Sequence, residues 1–151
     1  MNTDYCFLVD LSIHSGKSRF YVYDFKSKEI KSSALVCHGI VKNSKDDKPV
    51  YSNEIGSNCT SLGKYRIGKR AYSNWGIHIH YKLHGLEKSN SNAFARNVVL
   101  HSYDYVSEIE IYPLTMGWSL GCPVVSNSLM KLIDSSLKKT TKPILLWIFE
   151  M

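Results

Sequence analysis

The chain has 151 residues, 44% of them hydrophobic and 21% charged, which suits one compact domain and is too few for two ordinary ones. That balance excludes a disordered chain, and the longest apolar run, residues 143–149, is far below a membrane span. The formal charge of +6 would attract a polyanion, but its carriers are scattered like a solvated surface, and no helix-turn-helix, zinc-finger or RNP pattern makes nucleic acid an expected partner.

The N-terminus, Met1-Asn2-Thr3-Asp4, lacks the positive start of a signal peptide, and the apolar stretch after it is too short for one. Either the protein is cytoplasmic, an export signal has been removed, or another machine delivers it. Residues 5–9 read as a buried strand and residues 19–24 as its hairpin partner, with the turn-rich His14-Ser15-Gly16-Lys17-Ser18 between them. Residues 33–37 predict a third strand ending at His38-Gly39. Residues 42–63 are polar and turn-rich, a surface loop of a length that is often functional. Residues 64–67 and 77–83 are further strands. In the second, Ile77, Ile79, Tyr81 and Leu83 alternate with His78, His80 and Lys82, the period of a half-buried strand.

Residues 90–96 suit a helical turn. Residues 97–101 form a strand that delivers His101 at its end. Residues 126–137 predict the principal helix: Leu129, Ile133 and Leu137 recur at four-residue spacing, and Ser126 or Asn127 caps the start. Residues 143–149 close the chain as a core strand. The expected class is mainly β, with one principal helix after residue 122, in a single domain over residues 1–151.

Four cysteines occur, Cys6, Cys37, Cys59 and Cys122. No CxxC pair is present, which argues against a zinc ribbon or a thioredoxin-type site. The informative stretch is Gly117-Trp118-Ser119-Leu120-Gly121-Cys122-Pro123. A cysteine preceded by glycine, in a turn between strand and capped helix, is well placed to be a nucleophile. Gly121 lets a carbonyl approach the backbone, and its N–H is a candidate oxyanion donor. Proximity to a helix start and to an imidazole would lower the thiol pKa. His101 is the candidate base. On local pattern alone, a buried structural cysteine and a strand-end histidine explain the same residues. His78, His80 and His84 lack a carboxylate or cysteine at ligand spacing, so satisfied or solvent-facing histidines account for them better than a metal does.

Reading outward from these residues, the chain resembles the L,D-transpeptidase (YkuD-like) catalytic-domain family, in its branch with Ser-x-Gly-Cys-Pro. Ser119-Leu120-Gly121-Cys122-Pro123 matches the nucleophile motif, and Val98-Val99-Leu100-His101 matches the strand of the catalytic histidine. The likeness continues through His38-Gly39, Ser52-Asn53, Ser61-Leu62-Gly63, Gly85-Leu86-Glu87, and Asn92-Ala93 with Arg96. It implies an L,D-transpeptidase-like β-sandwich or mixed sheets, and an acyl-enzyme on Cys122 formed from a peptidoglycan stem peptide. His101 would be oriented by the backbone carbonyl of Ser102. Substrate-binding candidates are Ser119, Trp118, Arg96, His38, Ser61, Gly63 and Tyr65. Neither metal nor organic cofactor is implied.

Two departures stand out. His101-Ser102-Tyr103 replaces the His-Gly-Ala common in this branch, and Trp118 stands where an arginine often precedes the motif, so Arg96 is the substitute for a carboxylate contact. The resemblance implies a monomer in the bacterial envelope or periplasm, either an L,D-transpeptidase or an L,D-carboxypeptidase. Alternatives are a wall-targeting effector, with an immunity protein or delivery machinery as partner, and a non-catalytic peptidoglycan-binding module.

Overall fold

The computed structural model describes residues 1–41 and 48–151; part of the expected 42–63 loop thus lies outside the described residues. Eight strands form one mixed sheet: β1 (Tyr5–Asp10), β2 (Phe20–Asp24), β3 (Glu29–Ala34), β4 (Gly63–Tyr72), β5 (Ile79–Gly85), β6 (Val99–Ser102), β7 (Val124–Val125) and β8 (Leu145–Phe149), with a helix α1 (Asn127–Leu137). Their order across the sheet is β3-β2-β1-β8-β4-β5-β6-β7. The last strand in sequence is therefore central. It runs parallel to β1, with Phe7 beside Leu146, and antiparallel to β4, with Tyr65 beside Leu146. Phe7, Tyr65 and Leu146 are all buried, so three strands meet in one apolar layer.

Alternation sets the faces. Tyr81 and Leu83 are buried on β5 while their neighbours are not, which follows from the period of two. Helix α1 covers the inner face with Leu129, Met130, Ile133 and Leu137. Ser126 caps it, its Oγ accepting from the Leu129 N–H at 3.2 Å, and this satisfies one otherwise orphaned donor. Asp134, on the same helix, accepts from Arg70 Nε of β4 (2.7 Å) and from Tyr81 Oη of β5 (2.6 Å), joining helix to sheet.

The expected strand over 33–37 is displaced. β3 lies earlier, over polar residues at the sheet edge, where solvent on both faces removes the apolar signal. Leu35, Val36 and Cys37 are buried but leave β3. Cys37 instead bridges Val124, donating its N–H to the Val124 carbonyl at 2.9 Å. The chain leaving one edge strand thereby covers the opposite edge strand, and the sheet curls into a nearly closed barrel-like form. β5 starts two residues later than expected, because Ile77 and His78 belong to the turn after β4 and His78 has φ +65°.

Candidate active site

Beside this closure, strands β6 and β7 run parallel, with His101 opposite Val124. On β6, Leu100 and Ser102 are fully buried. Val99 and His101 point the other way, into a cavity of about 770 Å³ that Cys122 also lines. Cys122 precedes β7 by two residues, which brings its thiol beside β6. The Val99 N–H donates to Cys122 Sγ at 3.5 Å. The candidate nucleophile and the candidate base thus share one cavity.

His101 Nδ1 lies 2.9 Å from the Ser102 carbonyl. A carbonyl only accepts, so Nδ1 carries the proton and Nε2 keeps its lone pair in the neutral ring. Burial lowers the His101 pKa from its ordinary value; the Ser102 carbonyl opposes this, and neighbouring His80 adds to it. Burial raises the Cys122 pKa, against the pull of the Val99 N–H and of the Arg96 and Lys82 charges. This corrects the expected lowered thiol. Cys122 is not at the helix start, because β7 and the Ser126 cap intervene, and desolvation dominates. Both shifts favour the uncharged forms, thiol and neutral imidazole.

The turn before Cys122 is held by Ser119. Its Oγ donates to the Cys122 carbonyl at 2.6 Å and accepts from the Gly121 N–H at 3.2 Å. That second bond occupies the very donor assigned to an oxyanion from the sequence, so Gly121 does not hold it free. Gly121 has φ +109°, and a Cβ there would stand 2.9 Å from the Cys59 carbonyl oxygen; both facts demand glycine.

The remaining sequence candidates divide. Ser119 and Arg96 line the cavity. Arg96, however, donates to Ser52 O (3.0 Å), Ser61 Oγ (2.7 Å), Ser57 Oγ (3.2 Å) and Cys59 O (2.6 Å). Its guanidinium clamps the 52–61 segment, so a ligand carboxylate would compete with these acceptors. Ser61 is buried under that clamp, and Tyr65 is buried in the core with its hydroxyl on the Ser61 carbonyl at 2.5 Å. Gly63 sits where a Cβ would meet Glu87 and Asn90. His38 is buried, its Nδ1 accepting from Arg19 at 2.7 Å. Trp118 is half exposed and is not among the residues that line the cavity. Five of the seven substrate-binding candidates, His38, Ser61, Gly63, Tyr65 and Trp118, thus lie off the cavity wall.

The cavity also holds residues that the sequence did not single out for it, among them Tyr72, Trp75, Tyr103, Tyr105 and Asn97. His80 joins them. It is half-buried, and its Nε2 is buried without a hydrogen-bond partner among the described residues. Its place opposite His101 was accessible only through strand register. His78 contacts the Ser73 carbonyl and stacks on Tyr72, and His84 stacks on Phe94. None of the four cysteines is in a disulfide. Among the described residues, no cluster of three metal-ligating side chains occurs, and no helix is long and apolar enough to cross a membrane.

A family profile described as an L,D-transpeptidase catalytic domain matches residues 1–147. No curated protein matches the sequence. Among solved structures, Bd1075 of Bdellovibrio bacteriovorus is similar at 18% identity and a TM-score of 0.59, over 97% of this chain and 48% of that one. The helical cell shape determining protein Pgp2 of Campylobacter jejuni is similar at 12% identity and a TM-score of 0.62, over 97% of this chain and 47% of that one. A mutant L,D-transpeptidase of Enterococcus faecium is similar at 12% identity and 0.58, over 97% and 50%. The chain thus spans about half the length of these proteins, and identities this low speak for the fold.

Proposed function

The chain belongs to the L,D-transpeptidase catalytic-domain family, and on that premise we propose that it is a peptidoglycan acyltransferase with Cys122 as nucleophile and His101 as base. The observation that carries this reading is the shared cavity, with the thiol held at the Val99 N–H and the imidazole oriented by the Ser102 carbonyl.

His101 Nε2 takes the Cys122 proton as Sγ attacks the carbonyl between the L-centre of the diamino acid and the terminal D-amino acid. The S–C bond forms, and the C–N bond breaks as His101 returns the proton to the leaving amine. An acceptor amine then attacks the thioester, His101 takes its proton, and the thiol is regenerated with a crosslink or an exchanged D-amino acid. Water in place of the amine gives L,D-carboxypeptidase activity. The oxyanion would meet the Cys122 N–H, with the Gly121 N–H joining only if it leaves Ser119 Oγ. Arg96 acts by holding the 52–61 wall in place. Residues 1–151 would form one catalytic domain working in the bacterial envelope.

Incubation with a disaccharide-tetrapeptide, read by mass spectrometry, tests the reading. Crosslinked dimer or exchange product supports transfer, and tripeptide supports hydrolysis. No product, together with labelling of all four thiols at equal rates, would leave a wall-binding module as the better account.

A further inference from the structure

Resting on the acyl-transfer reading, we propose that the turn between β4 and β5 is a saccharide subsite. Trp75 presents its indole to a pyranose ring of the glycan that bears the stem peptide, so the sugar-linked peptide is the preferred donor.

The turn is fixed to the reaction centre. The Ile77 N–H donates to Ser102 Oγ at 3.1 Å. Gly76 has φ +59°, and a Cβ there would lie 2.1 Å from Ser102 Oγ and 2.5 Å from the Ser102 carbonyl oxygen. The turn therefore lies flat on the residue whose carbonyl holds His101. The Ser102 hydroxyl supplies that bond. Within the turn, the Ser73 and His78 backbones pair, and the Trp75 carbonyl accepts from the His78 N–H at 3.0 Å.

Trp75 is half exposed on this platform, with a relative exposure of 52%. It meets Tyr103 edge-on at 5.3 Å, and Tyr103 meets Tyr105 edge-on at 4.5 Å. The three rings form a continuous wall of the cavity. Gly117 makes room for it, since a Cβ there would stand 2.8 Å from the Tyr105 ring.

The chemistry of this wall selects its occupant. A pyranose has a face of C–H groups and a rim of hydroxyls. Aromatic rings with polar handles match both features. Asn74 and Ser73 stand beside Trp75 in the lining. Among the described lining residues there is no carboxylate, and the one guanidinium, of Arg96, is already engaged. A cationic ligand finds no counter-charge there, whereas a neutral polyhydroxyl ring needs none. A three-residue peptide spans at most about 10 Å, and Trp75, His101 and Cys122 line one and the same cavity. Because the wall is preformed, binding does not have to order it.

The test compares a disaccharide-tetrapeptide with the free tetrapeptide. The ratio of kcat/KM, sugar-linked over free, should fall about tenfold in Trp75→Ala, the scale of one aromatic contact. Equal losses on both donors, or an unchanged ratio, overturn the subsite. A second measurement needs no turnover: Cys122→Ala protein is titrated with the N-acetylglucosamine–N-acetylmuramic acid disaccharide and tryptophan fluorescence is read. A saturable change should survive Trp147→Phe and vanish in Trp75→Phe. No saturable change overturns the proposal. Saturable binding with no turnover of either donor by the wild type removes the acyl-transfer reading and keeps the subsite.

Discussion

His80 and His101 stand directly opposite one another on the antiparallel β5–β6 pair, and both line the cavity that holds Cys122. Two imidazoles this close do not both take a proton readily. His80 is itself lowered by burial and by Lys82, and it lowers His101 in turn. The base form of His101 therefore persists below its ordinary pKa of 6.5. The acid limb of kcat/KM is expected below that value. His80→Ala admits water and removes the neighbour, so the limb should move to higher pH. An NMR titration of the His101 ring in both proteins checks this; a limb that stays in place after His80→Ala contradicts it.

Cys122→Ala should abolish acyl-enzyme formation while leaving the fold intact, since the side chain only partly packs against the small cluster of Leu35, Cys37 and Val124. His101→Ala should slow turnover by about two to four orders of magnitude. Cys59→Ser should leave turnover largely unchanged. Intact-mass spectrometry after addition of a carbapenem reads the first two, and circular dichroism reports folding. A dead but folded Cys59→Ser enzyme would mean that the wrong thiol was chosen.

Burial pushes the Cys122 thiol above its usual value of 9.0. Alkylation by iodoacetamide should be slow at neutral pH and rise with pH as the thiolate forms. Cys6, Cys37 and Cys59 are each 3% exposed or less, so Cys122 should still react first. Peptide mapping after partial labelling checks both the order and the pH dependence.

Arg96→Lys keeps the charge but cannot reproduce a planar fork reaching Ser52, Ser57, Ser61 and Cys59. The 52–61 segment should loosen, with kcat/KM down about tenfold (about 1.4 kcal/mol). Limited proteolysis should show new cleavage within that segment. An unchanged digestion pattern with lost activity would instead indicate a direct substrate contact.

Asp134→Ala should cost about 2 kcal/mol of stability, the scale of hydrogen bonds to a charged group, because it leaves the buried Tyr81 Oη without its acceptor. The Arg70 hydrogen bond holds the Asp134 pKa below its usual 3.8. A carboxylate depressed in this way stabilises the fold above the unfolded pKa, and that stability is lost as pH falls through the folded value. Urea denaturation at pH 7 and below pH 3 should therefore show a smaller difference between variant and wild type in acid.

The strands that alternate or bury continuously were legible from the chain, because period and burial are local. β1, β2, β8 and the capped α1 lie close to their expected places. β3 was misplaced, since an edge strand exposed on both faces carries no apolar pattern. The short β7 left no periodic signal at all, for two residues cannot show one. The motif around Cys122 and the strand of His101 were readable as residue types in order. Which polar residues would line the cavity was not: Arg96 faced competing acceptors, and His38 and Tyr65 were buried, through contacts with residues distant in sequence.

By itself the sequence determined the chemical groups, the strand-rich class and the family, since these depend on residue identity, local period and ordered motifs. Only the tertiary structure decided that His80 opposes His101, that Ser119 occupies the Gly121 N–H, and that the β4–β5 turn rests on Ser102. The physical reason is that register and closure join strands remote in the chain, and burial at those junctions, not the identity of the groups, sets their charge and hydrogen bonding.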